Sequence, residues 1–159
     1  MEVSIIKAEE KHSVDCINAL QKSELGRVHF SKENSAFESV NKGISKREIF
    51  VAINEQGLCV GFIWAVENGA FHSFPYLHLI AVKEGYRNLG IGKKLLQYFE
   101  DTNAKENTKL FLVVADFNAG AKRLYQSVGY QEVGSIPGLY KNGVTEYLMM
   151  KDSISFVVK

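Results

Sequence analysis

Apolar residues fall along this chain in two rhythms, and each change of rhythm marks a new element. Val3 to Lys7 reads as a first strand. From about Glu9 to Ser23 the spacing is helical, with Val14, Ile17 and Leu20 on the inner face and Cys16 a further candidate for it. Phe37, Val40 and Ile44 repeat that spacing in a second helix, for which Ser31 and Ser35 are candidate caps. Ile49 to Ile53 and Leu58 to Val66 are β-rich, and Asn54-Glu55-Gln56-Gly57 between them predicts a hairpin turn. Asn68-Gly69 is another turn signal, leading into a strand from about Tyr76 to Val82, with Pro75 at its beginning or at an edge.

After Gly90 the helical spacing returns, with Ile91, Leu95, Tyr98 and Phe99 forming one core-facing stripe. Lys109 to Ala115 is almost wholly apolar, the mark of a strand buried on both faces. Asn118 is placed to cap a helix running to about Val128, and Gly129 to stop it. Tyr130 to Ile136 and Val144 to Met150 form a last pair of strands around the loop from Pro137 to Gly143. The order βααβββαβαββ predicts a mixed α/β domain on one central sheet, and no repeat or linker divides residues 1–159.

Composition narrows the class without naming a chemistry. An apolar share of 46% and a charged share of 23% suit a soluble globular domain. Nineteen basic against eighteen acidic residues leave no broad field for nucleic acid. The longest apolar runs are strand-length, far short of the ~20 residues a membrane helix needs. The opening Met-Glu-Val-Ser has no signal-peptide pattern, and Cys16 and Cys59 have no metal or scaffold spacing. Both thiols read as buried small residues, and the expected setting is a reduced cytoplasm with no metal.

The stretch Ile80-Ala81-Val82-Lys83-Glu84-Gly85-Tyr86-Arg87-Asn88-Leu89-Gly90-Ile91-Gly92-Lys93-Lys94 changes the picture most. It reads as a buried strand, a short loop, and a helix whose first turn holds two glycines. The first N–H groups of a helix lack intrahelical partners, and the macrodipole places positive charge there. Gly90 and Gly92 let a phosphate approach backbone that a β-carbon would shield, and Lys93 and Lys94 add charge nearby. A glycine pair also serves plain helix–strand packing, so it does not define a ligand alone. No G-x-x-x-x-G-K-[ST] pattern is present, and the dinucleotide fingerprint needs glycine where Leu95 stands.

Asn118, Lys122 and Tyr125 form a second group about 30 residues on. At 100° per residue the later two fall within about 40° of the first, so the three share a helix face. The buried strand before them is expected to bring this helix start to the same end of the sheet as Gly90, where ligands of such sheets bind. Tyr125 carries a phenol able to donate a proton to a departing anion. The plainer alternative has Asn118 only capping and Tyr125 only packing.

Arg87-Asn88-Leu89-Gly90-Ile91-Gly92 matches the [QR]-x-x-G-x-[GA] signature of the GNAT superfamily of N-acetyltransferases. Ile80-Ala81-Val82 resembles that family's fourth strand. The stretch from Asp116 to Tyr125, followed by Gly129-Tyr130, resembles its second conserved block, with N-x-x-A-x-x-L-Y and G-[FY] elements. Leu139-Tyr140-Lys141 and Glu146-Tyr147-Leu148-Met149 look like its last hairpin. The likeness covers about Ile49 to Lys151.

This resemblance implies the GNAT fold: a mixed, mostly antiparallel sheet of about seven strands, splayed between the fourth and fifth, with about four helices. It implies acetyl-coenzyme A as co-substrate, with the diphosphate on backbone N–H groups of Arg87, Asn88, Leu89, Gly90, Ile91, Gly92 and Lys93. The pantetheine arm would lie beside Ile80, Ala81 and Val82, where a bulge N–H would polarise the thioester carbonyl. Asn118 and Lys122 would contact the cofactor, and Tyr125 would protonate the thiolate while the amine attacks directly.

The general base is less determined. An alkyl amine with pKa near ~10.4 is protonated at neutral pH and must lose a proton before attack. His78 and Tyr76 share the alternation of Ile80 and Val82, and His78 is the candidate base, with a packed histidine as the alternative. Glu67, His72 and Asp116 acting through water rank lower. Some ribosomal-protein acetyltransferases of this superfamily place a basic Glu where Val113 stands here. The acceptor pocket is expected from the first two helices, the aromatic segment Gly69 to Tyr76 and the loop Pro137 to Gly143, and no residue names the acceptor. Expected partners are acetyl-coenzyme A and an amine, in a monomer or homodimer, and the tail Ser153 to Val158 alternates weakly enough to pair with a neighbour. A non-catalytic acyl-coenzyme A module and a non-acyl nucleotide binder are the competing readings.

Overall fold

The computed structural model describes residues 1–153, so the alternation read across the tail lies outside the described residues beyond Ser153. Seven strands are present: β1 (Val3–Lys7), β2 (Ile49–Asn54), β3 (Cys59–Ala70), β4 (Phe74–Val82), β5 (Lys109–Ala115), β6 (Gln131–Pro137) and β7 (Thr145–Asp152). They form one sheet in the order β1-β2-β3-β4-β5-β7-β6. The helices are α1 (Ser13–Gln21), α2 (Glu24–His29), α3 (Ser35–Ser45), α4 (Ile91–Thr102) and α5 (Ala119–Ser127). The chain divides into two compact units, one of Met1–Ala65 with Leu79–Tyr98, the other of Val66–His78 with the residues from Phe99 onward.

The described residues carry five helices where the spacing predicted four, because α2 is a separate element. Ser23 caps it by accepting the Gly26 N–H at 2.9 Å. Gly26 has no room for a β-carbon, which would fall 1.8 Å from the Leu20 carbonyl oxygen. A helix of six residues is too short to show a period, so it escaped the sequence reading.

In the first unit β1 and β3 flank β2, both antiparallel to it. The predicted turn at Asn54 closes β2 onto β3, with Gly57 left-handed and the Asn54 Oδ1 accepting the N–H groups of Gln56 and Leu58. Cys16, Ala19 and Leu20 of α1 and Ala36 and Val40 of α3 are buried. Val14 and Phe37 are instead 77% and 56% exposed, correcting their placement on the inner faces. The period was right and Leu20 and Val40 lie inward as expected, but Cys16, Ala19 and Ala36 share those inner faces and leave Val14 and Phe37 outside. At Gly43 α3 packs close, for a β-carbon there would stand 2.6 Å from the Ile49 side chain and 2.9 Å from Trp64.

In the second unit β5 lies between β4 and β7, parallel to the first and antiparallel to the second. The pairing of β4 with β5 is confined to Tyr76 with Phe111 and Leu77 with Leu112. Beyond those two rungs the strands part, which is the predicted splay. The register sorts the side chains into two faces. Leu77, Leu112 and Met149 share one, buried with the rings of Tyr125 and Tyr130. Tyr76, Phe111 and Met150 share the other, continued along the strands by His78, Val113, Leu148, Ala115 and Glu146. Truncating a buried leucine such as Leu112 to alanine costs about 2–5 kcal/mol.

The turn joining β3 to β4 is not at Asn68-Gly69, which lies inside β3. It is at Phe71 and His72, both left-handed at φ 54° and 58°, and closed by the Ser73 N–H on the Ala70 carbonyl at 3.1 Å. That backbone form favours Asn-Gly, so an aromatic and a histidine hold it under strain.

Candidate active site

The first unit supplies the loop that the sequence marks as a candidate anion site. Lys83 to Tyr86 make a tight turn, with the Tyr86 N–H on the Lys83 carbonyl at 3.0 Å and Gly85 at φ 90°. Asn88 and Gly90 are also left-handed, and Gly90 closes the first turn of α4 by accepting the Lys94 N–H at 3.1 Å. The backbone is thereby aimed so that the N–H groups of Ile91, Gly92 and Lys93 open the helix without intrahelical acceptors. A β-carbon on Gly90 would meet nothing within 4 Å, so the space above it is open.

The charged side chains of this loop mostly have other work. Arg87 spans the Val82 carbonyl at 3.1 Å and the Lys22 carbonyl at 2.9 Å, tying the loop to β4 and to the end of α1. Lys94 turns to the N-terminus, reaching the Met1 carbonyl and Glu2. Lys83 is ion-paired with Asp15. Lys93, Asn88 and Leu89 are exposed, Ile80 and Val82 half-buried, and Ala81 and Ile91 buried. The loop therefore offers backbone N–H groups more than free lysine charge.

The second unit gathers the tyrosines. Tyr125 on α5 is buried, its ring edge-on to Tyr130 at 6.1 Å, and burial pushes its phenol above the ordinary value. It therefore stays an O–H donor at neutral pH, and the same burial makes full release of the proton harder. Asn118 stands at the N-cap position of α5, yet its side chain makes no cap hydrogen bond. The capping alternative therefore does not account for that amide. Lys122 lies 3.8 Å over the Tyr147 ring and pairs with Glu132, which turns it toward β6 and β7.

Burial alternates without a break along β4 from Phe74 to Val82, so Tyr76, His78, Ile80 and Val82 keep one phase. The rings of Tyr76 and His78 are 6.1 Å apart. The Tyr76 phenol is pushed up by burial first, then by Tyr140, Glu146 and Tyr125. Tyr140 and Glu146 were read only as parts of a hairpin. The signal for Glu146 was present: it takes an apolar phase among Val144, Leu148 and Met150. Beside this group Phe71 and Phe74 meet Phe111 edge-on, at 5.4 and 5.5 Å between ring centres. Phe71 is 66% exposed, an apolar surface at the hairpin tip.

Among the described residues no helix is long and apolar enough to cross a membrane, and no three His, Cys, Asp or Glu gather as a metal site. A profile of the Acetyltransferase (GNAT) family matches residues 16–130. The N-alpha-acetyltransferase RimI of Mycobacterium tuberculosis is 33% identical over 106 residues, 65% of this chain and 66% of that protein. An N-alpha-acetyltransferase of Sulfurisphaera tokodaii is 41% identical over 75 residues, 44% of this chain and 43% of that one. The matches therefore span less than two thirds of either relative. In fold, Ard1 of Thermoplasma volcanium superposes with a TM-score of 0.77 at 20% identity, over 96% of this chain and 98% of that one. A GNAT-family acetyltransferase of Bacillus cereus gives 0.74 at 16%, over 96% and 98%.

Proposed function

We propose that this chain, which belongs to the GNAT acetyltransferase family, moves an acetyl group from acetyl-coenzyme A directly to a primary amine. The observation that carries the donor assignment is the loop itself, where left-handed Asn88 and Gly90 turn the backbone so that free N–H groups open α4 under unfilled space. A diphosphate fits that cradle better than a side-chain-recognised anion, because Arg87 and Lys94 are already held by carbonyl oxygens.

Acetyl-coenzyme A supplies the acetyl group as a thioester: an N–C bond forms from the amine lone pair, the C–S bond leaves its electrons on sulfur, and one proton leaves nitrogen while one joins sulfur. The residues from Arg87 to Lys93 hold the diphosphate, and the backbone of Ile80, Ala81 and Val82 holds the pantetheine arm and polarises the carbonyl. Asn118 offers its uncommitted amide to that arm. Tyr125 donates its hydroxyl hydrogen to the departing sulfur. His78 takes the amine proton, directly or through water. The acceptor lies on the Tyr76 face, with the Phe71, Phe74 and Phe111 rings as an apolar wall.

The two N-alpha-acetyltransferase relatives support an α-amine of a peptide as the first acceptor to try. Such amines have pKa near ~7.7–8.0 and shed their proton far more readily than a lysine side chain at ~10.4. The test is thiol release from acetyl-coenzyme A against a panel of peptides and small amines. Acetylation of an α-amine supports the reading. Tight coenzyme A binding without thiol release on any amine replaces it with the non-catalytic module.

A further inference from the structure

Arg87 begins the proposed donor loop, yet its guanidinium is engaged by two backbone carbonyls. Its Nε donates to the Val82 carbonyl at 3.1 Å, at the end of β4, and its Nη2 donates to the Lys22 carbonyl at 2.9 Å, 65 residues away. Lys22 is the C-cap residue of α1, where carbonyls lack intrahelical donors and the helix dipole leaves negative charge. A planar guanidinium suits this span, because one held edge of the fork orients the other. The Lys22 carbonyl also takes the Arg27 guanidinium of α2 at 3.4 Å, and Arg27 is paired with Glu24 at 3.0 Å. One oxygen thus joins the end of α1, the six-residue α2 and the donor loop. Ser23 closes the corner, accepting the Gly26 N–H at 2.9 Å and donating to the Leu20 carbonyl at 2.6 Å. A helix as short as α2 is not stable alone and depends on such ties. All of these groups belong to the first unit.

We infer that Arg87 is a positioning residue that couples the donor loop to the α1–α2 corner, so that filling the loop orders α2 and loosening α2 weakens donor binding. This rests on the donor assignment proposed above and extends it to residues outside the loop motif. With Arg87 seated, the loop backbone is aimed and α2 is held; with Arg87 released, both are freer. A ligand that binds the aimed loop favours the seated state, and the effect runs equally in reverse. A guanidinium that only attracted phosphate charge would couple nothing to α2.

Hydrogen exchange with and without coenzyme A reads the forward effect. In the unchanged chain, amides of residues 24–30 exchange about fivefold more slowly once coenzyme A is bound, the low end for coupled sites. In Arg87→Gln and Arg87→Lys the slowing is confined to the loop and the start of α4, since a glutamine amide is short and a lysine ammonium is a point donor. Titration reads the reverse effect. Ser23→Ala, which removes the α2 cap, raises the Kd for coenzyme A about fivefold in the unchanged chain and hardly at all when Arg87 is already Gln. Unslowed exchange at residues 24–30 of the unchanged chain, slowing that survives in either Arg87 variant, or an equal Ser23→Ala effect in both backgrounds overturns the inference. If an Arg87 variant does not fold, the Arg87-containing chains still decide it, because unmoved exchange or an unmoved Kd in them overturns the coupling. Coenzyme A that fails to bind the unchanged chain overturns the donor assignment and the coupling together. Binding that slows the loop but not α2 overturns the coupling alone.

Discussion

Gly69 and Tyr76 stand so close that a β-carbon on Gly69 would lie 2.8 Å from the β-carbon of Tyr76. The glycine is there for approach, since it lets β3 run against β4 at Tyr76. Gly69→Ala forces one of the two strands to shift and costs about 1–3 kcal/mol, as overpacking does. Turnover falls at least tenfold while coenzyme A affinity is kept. A variant with full turnover and an unchanged melting temperature would show that Tyr76 needs no such support.

Gly92→Asp puts bulk and a negative charge among the opening N–H groups of α4. Coenzyme A affinity drops at least about tenfold, or about 1.4 kcal/mol. Calorimetric titration checks this, and an affinity within twofold would remove the loop from the donor site.

Tyr125→Phe keeps the buried ring and removes the donor. Turnover falls about 100-fold, the low end for a positioned acid, with coenzyme A affinity within twofold. Equal loss of both would mean that the ring packs and the hydroxyl does nothing.

Alkali acts through the buried phenols. Tyr76, Tyr125 and Tyr130 are all held above the ordinary tyrosine value, chiefly because burial opposes the charged form. A group raised on folding stabilises the fold fully below its unfolded value of about 10 and loses that contribution as pH climbs toward the folded one. Stability therefore falls above about pH 10, by up to about 4 kcal/mol per pH unit for the three groups together. Melting temperature followed from pH 8 to 11, with phenolate absorbance, reads this out. Of the seven tyrosines, these three should ionise only as the chain unfolds.

The sequence was legible where one rhythm ran long enough. Lys109 to Ala115 came out to the residue, and the stripe of Ile91, Leu95 and Phe99 is buried as its spacing required. Val14 and Phe37 were misplaced because a period gives a stripe, here with Leu20 and Val40 buried on it, and does not say where the stripe's edge leaves the core. Asn68-Gly69 was misread because the strongest local turn signal yielded to the contact with Tyr76. Within the candidate site the backbone loop was visible as a motif. The placement of Tyr76 and Glu146 on one face was not, since they lie 70 positions apart (146 − 76) and only the strand register brings them there.

The hairpin tip bears on how this chain would respond to selection in the laboratory. Left-handed backbone costs of order 1–3 kcal/mol per strained residue, and Phe71 and His72 both carry it where Asn-Gly would carry almost none. Screening for heat resistance alone would therefore reward replacing these two residues and would strip the exposed ring from the proposed acceptor wall. Under the proposed acceptor site, stability and recognition pull against each other at this turn, and a more stable chain made here would be a less selective one.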